Sequence, residues 1–113
     1  MLEDLHVFLS GDPGQVTLQG KKHHITVNVR IDSAAIDDLP GIVITPSLIQ
    51  RFDFARFNLE AFHEIAETLL DRGEARPADC DGRPGLEVRI RDIDLAEYLL
   101  KPGASLSFAA FRR

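Results

Sequence analysis

The sequence predicts an α+β fold in which a mostly antiparallel, twisted sheet packs against one main helix or a broken pair of helices. Two stretches, residues 25–31 and 86–90, alternate between apolar and polar side chains, which is the period of a half-buried strand. Residues 46–72 instead place apolar side chains at alternating steps of four and three, which is the period of an amphipathic helix. The 113 residues contain no internal repeat or linker, so residues 1–113 are predicted to form one domain.

The N-terminal third of the chain has the pattern of a three-stranded antiparallel meander. Its first two strands are predicted at residues 5–9 and 15–18, and the third starts at His23-His24 and ends at residue 31. Glycine and proline at residues 11–14 indicate the first turn, and a glycine followed by two lysines at residues 20–22 indicates the second. A short helical turn capped by Asp32 or Ser33 follows, and the apolar residues 42–44 are too few to assign.

The main helix is predicted to begin at Thr45, because the threonine oxygen can accept an amide hydrogen bond and Pro46 is tolerated at the first helical position. It is predicted to end at Gly73. Asp53 and Asn58 can each cap a helix from within this stretch. The sequence therefore leaves open whether residues 46–72 form one helix or two.

The C-terminal third begins with residues 74–85, whose prolines and glycines among charged residues predict an exposed loop. A strand is predicted at residues 86–90 and a short helix at 94–100, where Asp94 and Glu97 have the spacing of a capping box. The alternation of apolar residues over 106–110 predicts a closing strand.

Composition limits the classes of function. The chain has 18 acidic and 13 basic residues, a formal net charge of −5, which argues against nucleic-acid binding. It has no apolar run long enough to span a membrane and no signal-peptide pattern near Met1, so we expect a cytoplasmic protein without a membrane partner. A single cysteine, Cys80, excludes an intramolecular disulfide.

One cluster could carry metal chemistry. Helical spacing places Glu60, His63 and Glu67 on one side of the main helix, where three such ligands could hold a metal ion. The spacing from Glu60 to His63 occurs in di-iron bundles, but those sites need two copies of the motif and four helices. The favoured interpretation is therefore the solvated face of an amphipathic helix, and no metal ion or other cofactor is predicted.

The other chemically suggestive residues have structural interpretations. Residues 79–82 match only the middle of a calcium loop, and a turn explains them better. Cys80 is expected to be an unactivated thiol in an exposed loop, and no catalytic residue is predicted. His23 and His24 are adjacent on a predicted strand, so their side chains are expected on opposite faces, where they do not share a metal ion easily.

The strand at residues 25–31, followed by Ala34-Ala35-Ile36, resembles a family of short bacterial proteins catalogued as domain of unknown function 1488. The resemblance extends over roughly residues 14 to 94 and includes Ile65-Ala66-Glu67, Leu70, the strand at 86–90 and Asp92. It implies a bacterial origin and a small α+β fold. The family has no established activity, so the resemblance implies no functional residue.

The absence of a catalytic pattern, the acidic charge and sheet edges that need pairing or protection favour a non-catalytic protein-interaction module. Its partner would be another protein or a second copy of the chain, in a binding, chaperone, immunity or inhibitor role. The alternative is a small metal-dependent enzyme that uses Glu60, His63 and Glu67.

Overall fold

The computed structural model describes residues 1–8 and 15–111. The predicted turn at residues 11–14 and the end of the first predicted strand lie outside the described residues. The strands are β1 (Glu3–Phe8), β2 (Val16–Lys22), β3 (Ile25–Ile31), β4 (Arg76–Cys80) and β5 (Arg83–Ile90). The helices are α1 (Ser33–Asp37), α2 (Leu48–Phe57), α3 (Leu59–Asp71) and α4 (Asp92–Leu99), followed by a 3-10 turn at Ala109–Phe111.

The five strands form one sheet in the order β1-β2-β3-β5-β4. All neighbouring strands are antiparallel except β3 and β5, which run parallel. The α+β class and the mostly antiparallel sheet are therefore as predicted. The parallel pair arises because the chain leaves β3, passes through three helices and returns through β4 before β5 adds to the sheet.

One face of the sheet forms the floor of the core. Its strands contribute aliphatic side chains at every second position, and the helices add aromatic and aliphatic residues from above. The buried members of this core include Val27, Val29, Ile31, Val88, Ile90, Ile36, Phe54, Phe62, Ile65, Ala66 and Leu95. The opposite face, which we call the polar face, carries Gln19, Asn28, Arg30, Glu87 and Arg89, all half-buried or exposed. This alternation is the pattern that the sequence shows in β3 and β5.

The main helical stretch is two helices, broken at Asn58. The Asn58 side chain is buried and donates a hydrogen bond to the Phe54 carbonyl (2.9 Å), which ends α2. The predicted helix start at Thr45-Pro46 is wrong by two residues. Ser47 is the N-cap instead, because its hydroxyl accepts from the Gln50 amide while the Gln50 side chain accepts from the Ser47 amide.

The predicted loop at residues 74–85 is wrong, since β4 and the first part of β5 form a hairpin there. Asp81 and Gly82 are its two turn residues, with φ of 58° and 81°. Such a pair of positive φ values is the geometry of a tight hairpin turn, for which Asp-Gly is a favoured sequence. The number of prolines and glycines in this segment obscured that signal.

The turn between β2 and β3 also differs from its prediction. His23 and His24 form the turn, with φ of 50° and 66°, and neither belongs to a strand. Gly20 is a strand residue: a Cβ there would lie 2.8 Å from the Glu3 carbonyl oxygen, so glycine permits the close approach of β1.

The predicted closing strand at residues 106–110 is wrong. This segment has no strand and ends in the 3-10 turn. The rings of Phe108 and Phe111 pack on Phe54, with centroid separations of 5.7 Å and 5.3 Å. The apolar side chains that gave the strand-like alternation are thus partly buried against the core, outside the sheet.

Candidate functional site

Aliphatic side chains at the connection between α1 and α2 and in the first turn of α2 are largely exposed to solvent, although Ile42 is half-buried against the core. Val43 is 92% exposed, Ile44 is 74% exposed and Ile49, in the first turn of α2, is 73% exposed. We call residues 42–44 together with Ile49 the apolar patch. Isolated exposed apolar residues are common on protein surfaces, whereas adjacent ones indicate an interaction site.

The backbone of this segment is also unpaired. Ile42 donates its amide to the Leu39 carbonyl (3.2 Å), but Val43, Ile44 and Thr45 make no hydrogen bond within residues 1–8 and 15–111. A cavity of about 170 Å³ lies beside them, lined by residues 41–44, Gln50 and Phe111. Aliphatic side chains, free backbone groups and a concave surface therefore occur together.

The two ends of the patch are held in place by the helices that flank it. The Arg51 guanidinium on α2 donates to both carboxylate oxygens of Asp37 at the end of α1, at 3.0 Å and 2.7 Å. This hydrogen-bonded pair raises the pKa of Arg51 above its ordinary value. The Ser47 cap fixes the start of α2 from the other side. The exposed segment is thus a short connection between two anchored helices.

The edges of the sheet are less suited to pairing with another chain. β1 is interrupted by a bulge between Glu3 and His6, where Asp4 has a φ of 56°. β4, at the other edge, has five residues and contains Pro77, which lacks an amide donor. Bulges, short strands and prolines are ways in which proteins protect sheet edges. The apolar patch is therefore the better candidate contact surface.

The candidate metal ligands Glu60, His63 and Glu67 have a different environment from the one that their spacing indicated. His63 Nε2 lies 2.7 Å from the Leu2 carbonyl oxygen, so this nitrogen carries the proton and donates. Glu67 accepts a hydrogen bond from the Leu2 amide. Glu60 is exposed, and within the described residues no group of three or more His, Cys, Asp or Glu side chains could hold a metal ion. His63 and Glu67 thus anchor the beginning of β1 on α3.

Cys80 is not the exposed loop thiol that the sequence predicts, because it is 2% exposed at the end of β4. Its Sγ lies 3.6 Å from the Leu86 carbonyl oxygen, and a Cβ at position 85 would approach Sγ to 2.5 Å. Glycine at position 85 therefore makes room for the thiol. Burial raises the pKa of Cys80, which lowers the fraction of reactive thiolate.

Comparison with protein-family models, curated proteins and solved structures found no match to this chain. The resemblance to domain of unknown function 1488 therefore stays a prediction. Over the described residues, no helix is long and apolar enough to cross a membrane.

The sequence signal for the apolar patch was present but incomplete. Three consecutive β-branched residues, Ile42, Val43 and Ile44, follow a glycine, and such a run is equally typical of a buried strand. Only the tertiary structure distinguishes the two environments.

Proposed function

We propose that this protein is a small, non-catalytic protein-interaction module and that a second copy of the chain binds at the apolar patch. The exposure of Val43, Ile44 and Ile49 is the observation that carries the proposal. A folded protein gains nothing from keeping adjacent aliphatic side chains in water, whereas an interface buries them.

The apolar patch is suited to a symmetric partner. The same surface on two copies meets itself across a two-fold axis, so each subunit supplies the apolar area that the other needs. The amides and carbonyls of Val43, Ile44 and Thr45, which are unpaired among the described residues, supply donors and acceptors in equal number, as antiparallel pairing of two identical segments requires. The net charge of −5 opposes association, but at physiological salt this repulsion is screened beyond about 8 Å.

The expected strength follows from the area available. Burying one valine or isoleucine side chain contributes about 1.5–3 kcal/mol. Three such residues from each of two copies give roughly 9–18 kcal/mol in favour of association, against a cost of roughly 4–15 kcal/mol for lost freedom. We therefore expect a dimer that dissociates on dilution rather than a permanent one.

Sedimentation velocity over a range of protein concentrations tests this proposal. The wild-type chain should shift from monomer to dimer as its concentration rises, and Val43→Lys combined with Ile44→Lys should abolish the shift. Leu100→Lys is the matched control, because Leu100 is an 84% exposed aliphatic residue outside the apolar patch. A wild-type chain that stays monomeric refutes self-association. If the control variant loses the dimer, or if the double variant keeps it, the apolar patch is not the dimer interface.

The proposed class of interaction modules includes proteins with chaperone, immunity or inhibitor roles, which bind their partners through an exposed surface. We also propose that the protein is bacterial and cytoplasmic. No contact of Glu60, His63 or Glu67 favours the alternative of a metal-dependent enzyme.

A further inference from the structure

A second surface shares no residue with the apolar patch and has the opposite chemistry. It is a pocket of about 400 Å³ at one end of the sheet, where β3 and β5 end and β2 and β4 begin. Its wall includes one apolar side chain, Leu69, and its other residues are charged or polar. These lining residues are Gln15, Arg30, Glu74, Arg76, Glu87, Arg89 and Arg91.

The strand register brings the arginines together. Arg30 on β3 is aligned with Arg89 on the neighbouring parallel strand β5, so two positive side chains lie side by side on the polar face. Arg76 on β4 is aligned with Glu87, two residues before Arg89 on β5. Like charges at directly paired positions destabilise a sheet. A bound anion would offset this repulsion.

The guanidinium groups in the pocket are only partly used by the protein. Arg89 donates from Nε to Asp32 (2.8 Å), which leaves both of its Nη groups without a hydrogen bond among the described residues. Arg76 makes no hydrogen bond or ion pair in that part of the chain. Arg30 differs, because it donates to Glu87 (3.1 Å) and to Gln15.

Acidic neighbours hold Arg89 and Arg91 in position, and among the described residues they leave the Nη groups of Arg89 without a hydrogen bond. Arg91 lies 3.2 Å from Asp94 through Nε and 3.8 Å from Glu74 through Nη2. Hydrogen bonds and charge from Asp32 and Asp94 raise the pKa values of Arg89 and Arg91. Both side chains are about half exposed or more, at 65% and 48%. They are therefore oriented, charged and accessible.

We propose that this pocket binds a small, multiply charged anion, a phosphorylated or polycarboxylic metabolite, through the Arg76 guanidinium and the two Nη groups of Arg89, none of which has a hydrogen bond among the described residues. A guanidinium presents two parallel N–H groups that match two oxygens of a phosphate or carboxylate. The volume of the pocket lies within the range of small-molecule sites, about 300–1,000 Å³.

The charge distribution favours a small anion over a nucleic acid. Four arginines and two glutamates line the pocket, whereas the whole chain has a net charge of −5. An extended polyanion would leave the pocket and meet an acidic surface, which opposes the many phosphate contacts that nucleic-acid affinity requires.

Isothermal titration calorimetry with pyrophosphate and with citrate at low ionic strength tests this proposal. At least one probe should bind the wild-type chain, and Arg76→Gln should weaken that binding by roughly tenfold or more. Arg76 has no hydrogen bond or ion pair to lose within residues 1–8 and 15–111, so this variant should keep its fold. Arg83→Gln is the matched control, because Arg83 is an exposed arginine on the same strand as Arg89 but outside the pocket.

Tighter binding of pyrophosphate supports a phosphorylated ligand, and tighter binding of citrate supports a polycarboxylic one. The proposal is overturned if neither probe binds, or if the control loses as much affinity as Arg76→Gln. It is also overturned if a single-stranded oligonucleotide binds more tightly than both probes, since that result assigns the arginines to a nucleic acid.

Discussion

Asn58 connects three parts of the molecule, and its replacement by alanine is the sharpest test of how the C-terminal segment is held. The side-chain amide donates to the carbonyls of Phe54 (2.9 Å) and Ser107 (2.8 Å). Its oxygen accepts from the Ser107 amide (2.6 Å). Asn58→Ala removes all three of these hydrogen bonds, and the break between α2 and α3 then has no side chain that bonds to its backbone.

The magnitude follows from these contacts. Each hydrogen bond contributes about 0.5–1.5 kcal/mol net, so three contribute roughly 1.5–4.5 kcal/mol. Because Ser107 is exposed, water can form hydrogen bonds with the backbone groups of Ser107 that the mutation leaves unpaired. The expected loss in the free energy of unfolding is therefore about 2–3 kcal/mol. For a domain of this size, each kcal/mol lowers the Tm by roughly 4 °C or more, so we expect a decrease of about 10 °C.

Urea unfolding followed by circular dichroism measures this loss directly. Asn28→Ala is the control, because the Asn28 side chain is half-buried and accepts one hydrogen bond, from Gln19 (3.0 Å). It should cost about 1 kcal/mol or less. Limited proteolysis should also cut residues 104–111 faster in Asn58→Ala. If Asn58→Ala is as stable as the control, Asn58 does not hold the C-terminal segment.

Three further changes test other parts of the fold. His23→Asn combined with His24→Gly should stabilise the protein by about 1 kcal/mol, because Asn-Gly suits two positive φ values better; an unchanged urea midpoint would argue against this turn. Glu67→Ala should lose about 1–2 kcal/mol and speed hydrogen exchange at the Leu2 amide, whereas exchange at the wild-type rate would contradict the anchoring contact. The raised pKa of Cys80 means that the folded state keeps its thiol proton to higher pH than the unfolded state. Stability should therefore fall as pH rises above the ordinary thiol pKa of about 8.5, and Cys80→Ala should remove this dependence when wild type and variant are unfolded at several pH values.

Local patterns in the sequence were sufficient for the main elements. The alternation in residues 25–31 and 86–90 records that one side of each strand is buried, and both are strands in the structure. In α3 the apolar steps of three and four likewise record one buried helical side. In α2 they do not, because Phe54, which lies outside these steps, is fully buried while Ile49 and Phe57 are exposed. These patterns predict strand or helix because a side chain's direction depends on the local backbone.

The sequence was less informative where one pattern fits two environments. The alternation of residues 106–110 is compatible with a strand, but Phe108 and Phe111 are covered by Phe54 on a helix. Asn58, at the break between α2 and α3, is also hydrogen-bonded to Ser107, a contact 49 residues away in the chain that no local pattern reveals.

By itself, then, the sequence determined the α+β class, the N-terminal meander and the helical stretch, because each depends on neighbours within a few residues. Only the tertiary structure decided that β5 pairs in parallel with β3, that Arg30 and Arg89 lie side by side, and that Val43 and Ile44 stay exposed. The physical reason is that a side-chain pattern shows which face of a helix or strand is apolar and favours burial. The packing of the whole chain decides which distant segment buries that face, or whether any segment does.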